Sequence, residues 1–322
     1  MKGLFIKALP FILALGAQAA SCQRRSNQPQ TKRVVQYYGQ QINDQGTKFH
    51  IDLLVNNSDG KTYATNVLMG EFSVGTKALQ LNGGDPAAKS NDWFWNEIKT
   101  VQNAGVKVSL WLRQGFEYLK KDNKDFDTYY ALVNKTITDY NFGGIDLDIE
   151  DALGDNGCDD KTMTLEDTVY LIRRLRDDFG PNFVITLAPV SNALLDEGNV
   201  SCFNYQELEK RSATDINWYN AQFYGGSWEG LKTSAFYERC IKEGGWKPHR
   251  IVTTITTSPD FTSPLPRSSW IGLNETGPTI ESLVEKYADF GGTGGFDYYD
   301  AEPGGYEKPW EWSQWAVRQM NA

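Results

Sequence analysis

The chain has 322 residues, enough for one large domain with a substantial core. Lys and Arg number 32 against 41 Asp and Glu, a net charge of −9; six of the bases and no acid fall in residues 1–33, so the remainder carries −15. A body that acidic repels phosphate backbones and excludes nucleic acid as a partner, and only two histidines, His50 and His249, speak against a His-rich zinc site or a Ser-His-Asp triad. Chemistry must then rest on carboxylates and aromatic rings, and an aromatic content of 13% with ten Trp suits the apolar faces of sugars.

Lys2 and Lys7 precede an apolar run from Ala8 to Leu15 and the small residues Gly16 to Ala20. That order of charge, short apolar centre and small residues predicts a secretory signal peptide over 1–20. Residues 21–33 are polar and end in Lys32-Arg33, which predicts a pro-segment closed by a dibasic site, with the barrel over 34–322. No later stretch approaches the roughly 18 apolar residues of a membrane span, so no membrane partner is expected. Sequons at Asn56, Asn134, Asn199 and Asn274 agree with secretion.

Strand patterns then alternate with helical ones. Strands are predicted at 34–38, 65–72, 106–112, 144–150, 183–188, 216–224, 250–255 and 294–299. Helices are predicted at 93–104, 126–140, 165–179, 205–211, 231–243 and 280–290, with a last one from Pro309 to Met320. Eight strands alternating with helices predict an α/β fold, a single (β/α)8 TIM barrel. No glycine-rich phosphate loop follows any strand, which removes the usual reason for an open doubly wound sheet, and no nucleotide cofactor is expected. Cys22 lies in the pro-segment, which leaves three cysteines and the arithmetic of one pair plus one thiol; Cys158 and Cys202 follow the fourth and fifth strands at one barrel end, close enough to be bridged, and Cys240 sits in a helix.

The informative stretch is Phe142-Gly143-Gly144-Ile145-Asp146-Leu147-Asp148-Ile149-Glu150. Alternation puts Ile145, Leu147 and Ile149 on one face and Asp146, Asp148 and Glu150 on the other. In a parallel barrel the apolar face meets helices, so the acids stack inside, with Glu150 nearest the C-terminal mouth where barrel active sites lie. Three acids in line on one strand do not surround an ion, so no metal is expected.

The run GGIDLDIE resembles the DxxDxDxE signature of glycoside hydrolase family 18, the chitinases and endo-β-N-acetylglucosaminidases. Asp146, Asp148 and Glu150 match its second half, while Gly143 stands in place of the leading acid. Tyr37-Tyr38-Gly39-Gln40, Ile185 to Pro189 and Gln222-Phe223-Tyr224 are similar to further strands of the family. The segments Phe179 to Val190, Asp215 to Tyr224, Pro303-Gly304-Gly305 and Pro309 to Trp312 resemble the secreted fungal endo-β-N-acetylglucosaminidases. The resemblance implies substrate-assisted retaining hydrolysis, in which the substrate's own N-acetyl carbonyl is the nucleophile. It makes Glu150 the general acid and base, and Asp148 the partner of the acetamido N–H. Asp146 then shares a proton with Asp148 and helps switch its orientation, and Tyr224 is a donor to the acetamido oxygen. Tyr37, Gln222 and Phe296 are the implied substrate contacts.

Two departures accompany it. The third strand reads Leu110-Trp111-Leu112-Arg113-Gln114-Gly115 where the family commonly carries Ser-x-Gly-Gly, and Phe296 stands where it usually places a Trp under the cleaved sugar. Arg113 is read as paired with a barrel acid in preference to contacting an acidic sugar. Only 33 residues separate Thr257 from Gly291, which leaves no room for the inserted subdomain of many chitinases. The expected function is a secreted, extracellular, monomeric endo-β-N-acetylglucosaminidase acting on the chitobiose core of N-glycans. A chitinase, or a chito-oligosaccharide-binding lectin that has lost turnover, is the alternative.

Overall fold

A computed structural model describes residues 31–152, 157–224, 228–259 and 270–322. The predicted signal peptide, and all of the pro-segment before residue 31, lie outside the described residues. Eight parallel strands form a closed ring: β1 (Arg33–Tyr38), β2 (Asn66–Val74), β4 (Lys107–Gln114), β5 (Gly144–Leu147), β6 (Val184–Leu187), β7 (Trp218–Gln222), β8 (Ile251–Thr256) and β9 (Gly292–Phe296), with β1 pairing both β2 and β9. A short β3 (Leu79–Leu81) folds back antiparallel on β2, a hairpin that the sequence pattern does not announce. Helices α1 (Asp92–Asn103), α2 (Phe126–Asp139), α3 (Leu165–Phe179), α4 (Tyr205–Ser212), α5 (Ala235–Lys242), α6 (Leu273–Lys286) and α7 (Glu311–Met320) surround the ring. The chain is a (β/α)8 barrel.

The period-two alternation of the strands divides the interior from the shell. Ile145, Leu147 and Ile149 join the large core between ring and helices. Val35, Tyr37, Leu68, Trp111, Val184, Trp218 and Val252 form a second, separate cluster inside the ring. The helices supply the matching stripes; α1 buries Phe94, Trp95, Ile98 and Val101 along one face. Helix α3 is bounded by a capping box, Thr164 with Asp167, and by Gly180 at its end.

Element bounds differ from the sequence pattern at several ends, those of β1, α6 and β9 among them. β1 begins at Arg33, the last residue assigned to the pro-segment. Its buried guanidinium donates to the carbonyls of His249 and Gly291, both at 3.0 Å, and lies 4.3 Å over the Trp218 ring, so it belongs to the barrel floor. Helix α6 starts at Leu273 and contains Pro278, seven residues before the expected start at 280. Burial of Thr276, Gly277, Ile280 and Leu283 outweighs the proline, and a Cβ on Gly277 would stand 2.6 Å from Gln319 Oε1 of α7. The last strand ends at Phe296, where 299 was expected.

Cys158 and Cys202 form a disulfide with Cα atoms 5.6 Å apart, and Cys240 is a buried free thiol. The pairing joins the connections that follow β5 and β6, as the cysteine arithmetic predicts. Asn56 and Asn274 are exposed sequon asparagines, whereas Asn199 spends its amide on Phe203 O at 2.7 Å.

Candidate active site

β5 leaves the ladder at Leu147, and the chain continues extended through Asp148 to Glu150 at the C-terminal mouth. Asp146 and Asp148 are buried and Glu150 is partly exposed, so the three acids rise from floor to opening as the alternation predicts. Gly143 lies at the opposite end, where a Cβ would meet Lys107 Cδ at 3.3 Å. Seven residues of extended chain, roughly 23 Å, separate it from Glu150, so the missing leading acid lies far from the mouth.

Each acid has its own donors. Asp146 accepts from Thr186 Oγ1 at 2.5 Å, Asn220 Nδ2 at 2.8 Å and Tyr37 Oη at 3.2 Å. Burial pushes its carboxyl up to about 6, against the pull of those three bonds. Asp148 accepts from Trp111 Nε1 at 3.0 Å and Gln222 Nε2 at 3.3 Å. Burial, then the neighbouring Glu150, hold it well above the usual carboxylate range, with Arg113 opposing. Glu150 accepts from Gln222 Nε2 at 2.8 Å and pairs with Arg113 Nη2 at 2.7 Å. The Arg113 guanidinium also lies 3.6 Å from Asp148 and 3.7 Å from Glu71. Burial pulls against its charge, but Asp148, Glu150 and Glu71 outweigh it and keep the side chain cationic. With three acids around it, Arg113 is paired with the barrel acids.

Aromatic rings wall the acids. Tyr224 stacks on Phe296 with centroids 5.7 Å apart and planes 8° from parallel. Tyr37 meets Trp111 and Phe296 edge-on at 5.1 and 5.5 Å, and Trp111 meets Phe296 at 5.8 Å. Among the described residues the Tyr224 hydroxyl has no hydrogen-bond partner, and burial followed by Asp148 and Glu150 keeps it protonated, hence a donor. The structure therefore brings together Asp146, Asp148, Glu150, Tyr224, Gln222, Phe296 and Tyr37 at one barrel end. Gln222, read from sequence as a sugar contact, bridges Asp148, Glu150 and the Ala188 carbonyl through Nε2.

Sequence reasoning passed over Thr186 and Asn220, the donors to Asp146. The signal for Asn220 was present: Trp218, Asn220, Gln222 and Tyr224 alternate along β7 toward the interior, and a buried polar residue in that series needs a partner. Asp297 was also passed over; it accepts the N–H groups of Gly39 and Gln40 just past the end of β1 and is buried. Away from the acids, His50, Asp52 and Glu97 place one ligand atom each within 4.8 Å of one another, but His50 and the Ile51 N–H already occupy both Glu97 oxygens.

A fungal endo-β-N-acetylglucosaminidase from glycosyl hydrolase family 18 superposes with a TM-score of 0.78 and 30% identity, covering 89% of this chain and 97% of that one. The chain belongs to glycosyl hydrolase family 18. The chitinase ChiC from Aspergillus fumigatus matches at 30% identity with a TM-score of 0.75, covering 90% of this chain and 99% of that one. Exochitinase 1 from Streptomyces olivaceoviridis is 29% identical over 111 residues, a stretch that covers 32% of this chain and 19% of that protein. No family model matches the chain. The family 18 member thus carries an intact Asp-x-Asp-x-Glu series in a barrel whose third strand departs from the family's small-residue pattern.

Proposed function

We propose that this family 18 hydrolase is a secreted, monomeric endo-β-N-acetylglucosaminidase that cleaves the chitobiose core of N-linked glycans. The observation that carries the reading is the convergence of Asp148 and Glu150, bridged by Gln222, with the donor hydroxyl of Tyr224 beside them at one mouth. Glu150 donates its proton to the leaving glycosidic oxygen as the substrate's acetamido carbonyl oxygen bonds to C1. Asp148 accepts the acetamido N–H and stabilises the resulting oxazolinium charge, and Tyr224 donates to the acetamido oxygen. Water then attacks C1, Glu150 takes its proton, and the acetamido group is released.

The short connection from β8 to β9 favours an N-glycan over a linear polymer. Much of it is α6, and a connection too short for an inserted subdomain leaves room for the branched arms of a glycan. Cleavage of chitin is the second reading, favoured by the match to ChiC at the same identity. Incubation with a high-mannose glycoprotein and with chitin oligomers, followed by mass spectrometry, separates the two. A single N-acetylglucosamine left on asparagine is expected. Shortened chitin oligomers beside an untouched glycoprotein would replace this reading with a chitinase, and binding without turnover on either would leave a lectin.

A further inference from the structure

β4 projects two successive inward side chains, Trp111 and Arg113, both large. The ladder pairs Trp111 with Asp146, so the tips of Trp111 and Arg113 reach the next acids toward the mouth. The indole N–H meets Asp148 Oδ2 at 3.0 Å, and the guanidinium meets Glu150 Oε2 at 2.7 Å. The indole has no freedom to leave. A Cβ on Gly39 would stand 2.8 Å from its Cζ3, and one on Gly70 2.7 Å from its Cε3, so two glycines form the slot that holds the ring. Tyr37 and Phe296 close its edges, and the side chain is 3% exposed. From the opposite wall Gln222 bonds the other oxygen of each acid.

We propose that Trp111, with Arg113, is a positioning residue that locks Asp148 and Glu150 in one orientation before substrate arrives. The proposal rests on the acetamido-binding role given to Asp148 above. Turning Asp148 toward Asp146 would strip a buried indole N–H of its acceptor in a place where it has no substitute, a costly loss. Asp146 meanwhile has its own donors in Tyr37, Thr186 and Asn220. The aspartate therefore works from a fixed position, and its alignment costs no reorganisation during the reaction.

Trp111→Phe keeps an apolar ring and removes the N–H. It should lower kcat at least about tenfold while KM stays within about threefold. In an Asp148→Ala background the same change should cost less than about twofold, because the group it aims is gone. Equal losses in both backgrounds, or no loss in either, would overturn the proposal. Arg113→Gln should lower kcat and Arg113→Lys should recover part of it; equal loss in both removes Arg113 from the brace. If Trp111→Phe does not fold, 3-benzothienylalanine at position 111 preserves the shape without the N–H. Absence of turnover in the unmodified protein would refute the proposed function and leave the brace open to a direct test. The crystal structure of the Trp111 variant must then show the Asp148 carboxylate displaced, and an unmoved carboxylate refutes the brace.

Discussion

At the scale of single residues, the roles of Glu150 and Phe296 separate chemistry from packing. Glu150→Gln preserves shape and the bond from Gln222 but cannot supply a proton. Turnover should fall at least about 100-fold, the usual contribution of a general acid, while calorimetry still detects sugar binding. Parallel loss of binding and rate would point to a misfolded mouth. Phe296 is only partly buried, stacks on Tyr224 and lies edge-on to Tyr37 and Trp111. That placement, at the end of β9 beside the acids, suits a platform for the sugar ring. Phe296→Ala should lower kcat about tenfold or more, equivalent to roughly 1.4 kcal/mol in the transition state. Its stability cost should stay below the ~3–5 kcal/mol of a truncated core Phe. A large fall in melting temperature with unchanged activity per folded molecule would make Phe296 core packing.

At the scale of elements, the connection after β5, which carries the proposed catalytic acid Glu150, is tied to the connection after β6. The disulfide between Cys158 and Cys202 spans 44 residues of sequence. Chain entropy alone assigns such a closure about 4 kcal/mol, with engineered examples delivering less. Cys202→Ser should therefore lower unfolding free energy by roughly 2–4 kcal/mol in urea titration. A change too small to resolve would mean that the two connections hold each other by packing alone. Cys240, by contrast, sits inward on α5, and burial pushes its thiol up to about 12. Thiol reagent should leave it untouched in the native protein and titrate one group per chain, counted from residue 31 onward, after denaturation without reductant. Three groups would refute the bridge.

At the scale of the whole molecule, the barrel interior concentrates acids that resist ionisation. Burial raises Asp146 to about 6 and Asp297 to about 7, and holds Asp148 well above the ordinary range. Unfolding returns each carboxyl to a value near 4. Between about pH 4 and pH 7 these three carboxyls therefore bind more protons folded than unfolded, and their contribution to stability falls as pH rises through that window. Melting temperature should be higher at pH 5 than at pH 8. Asp297→Asn, which keeps a carbonyl acceptor for Gly39 and Gln40, should flatten part of that slope. A melting temperature that rises from pH 5 to pH 8 would show the buried acids ionised throughout.

Local periodicity made much of this molecule legible. Alternation along Gly144 to Glu150 sorted Ile145, Leu147 and Ile149 from Asp146, Asp148 and Glu150 before any strand was paired, because successive side chains must point to opposite faces. The repeat of strand and helix likewise specified a barrel and put Cys158 and Cys202 at the same end of it, where the structure joins them. Limits appeared where a contact outweighed local preference: proline is disfavoured inside a helix, but Pro278 lies inside α6, whose buried face packs on α7. Arg33 reads as a processing residue, but it caps the floor of the ring. The hydrogen bonds that aim the acids belong to the same class. Asn220 and Gln222 reach Asp146 and Glu150 across 74 and 72 residues of chain, and Trp111 reaches Asp148 across 37. Composition and spacing on one strand can state that an acid faces inward. Which donor meets it is decided only when eight strands close into a ring and set their registers against one another.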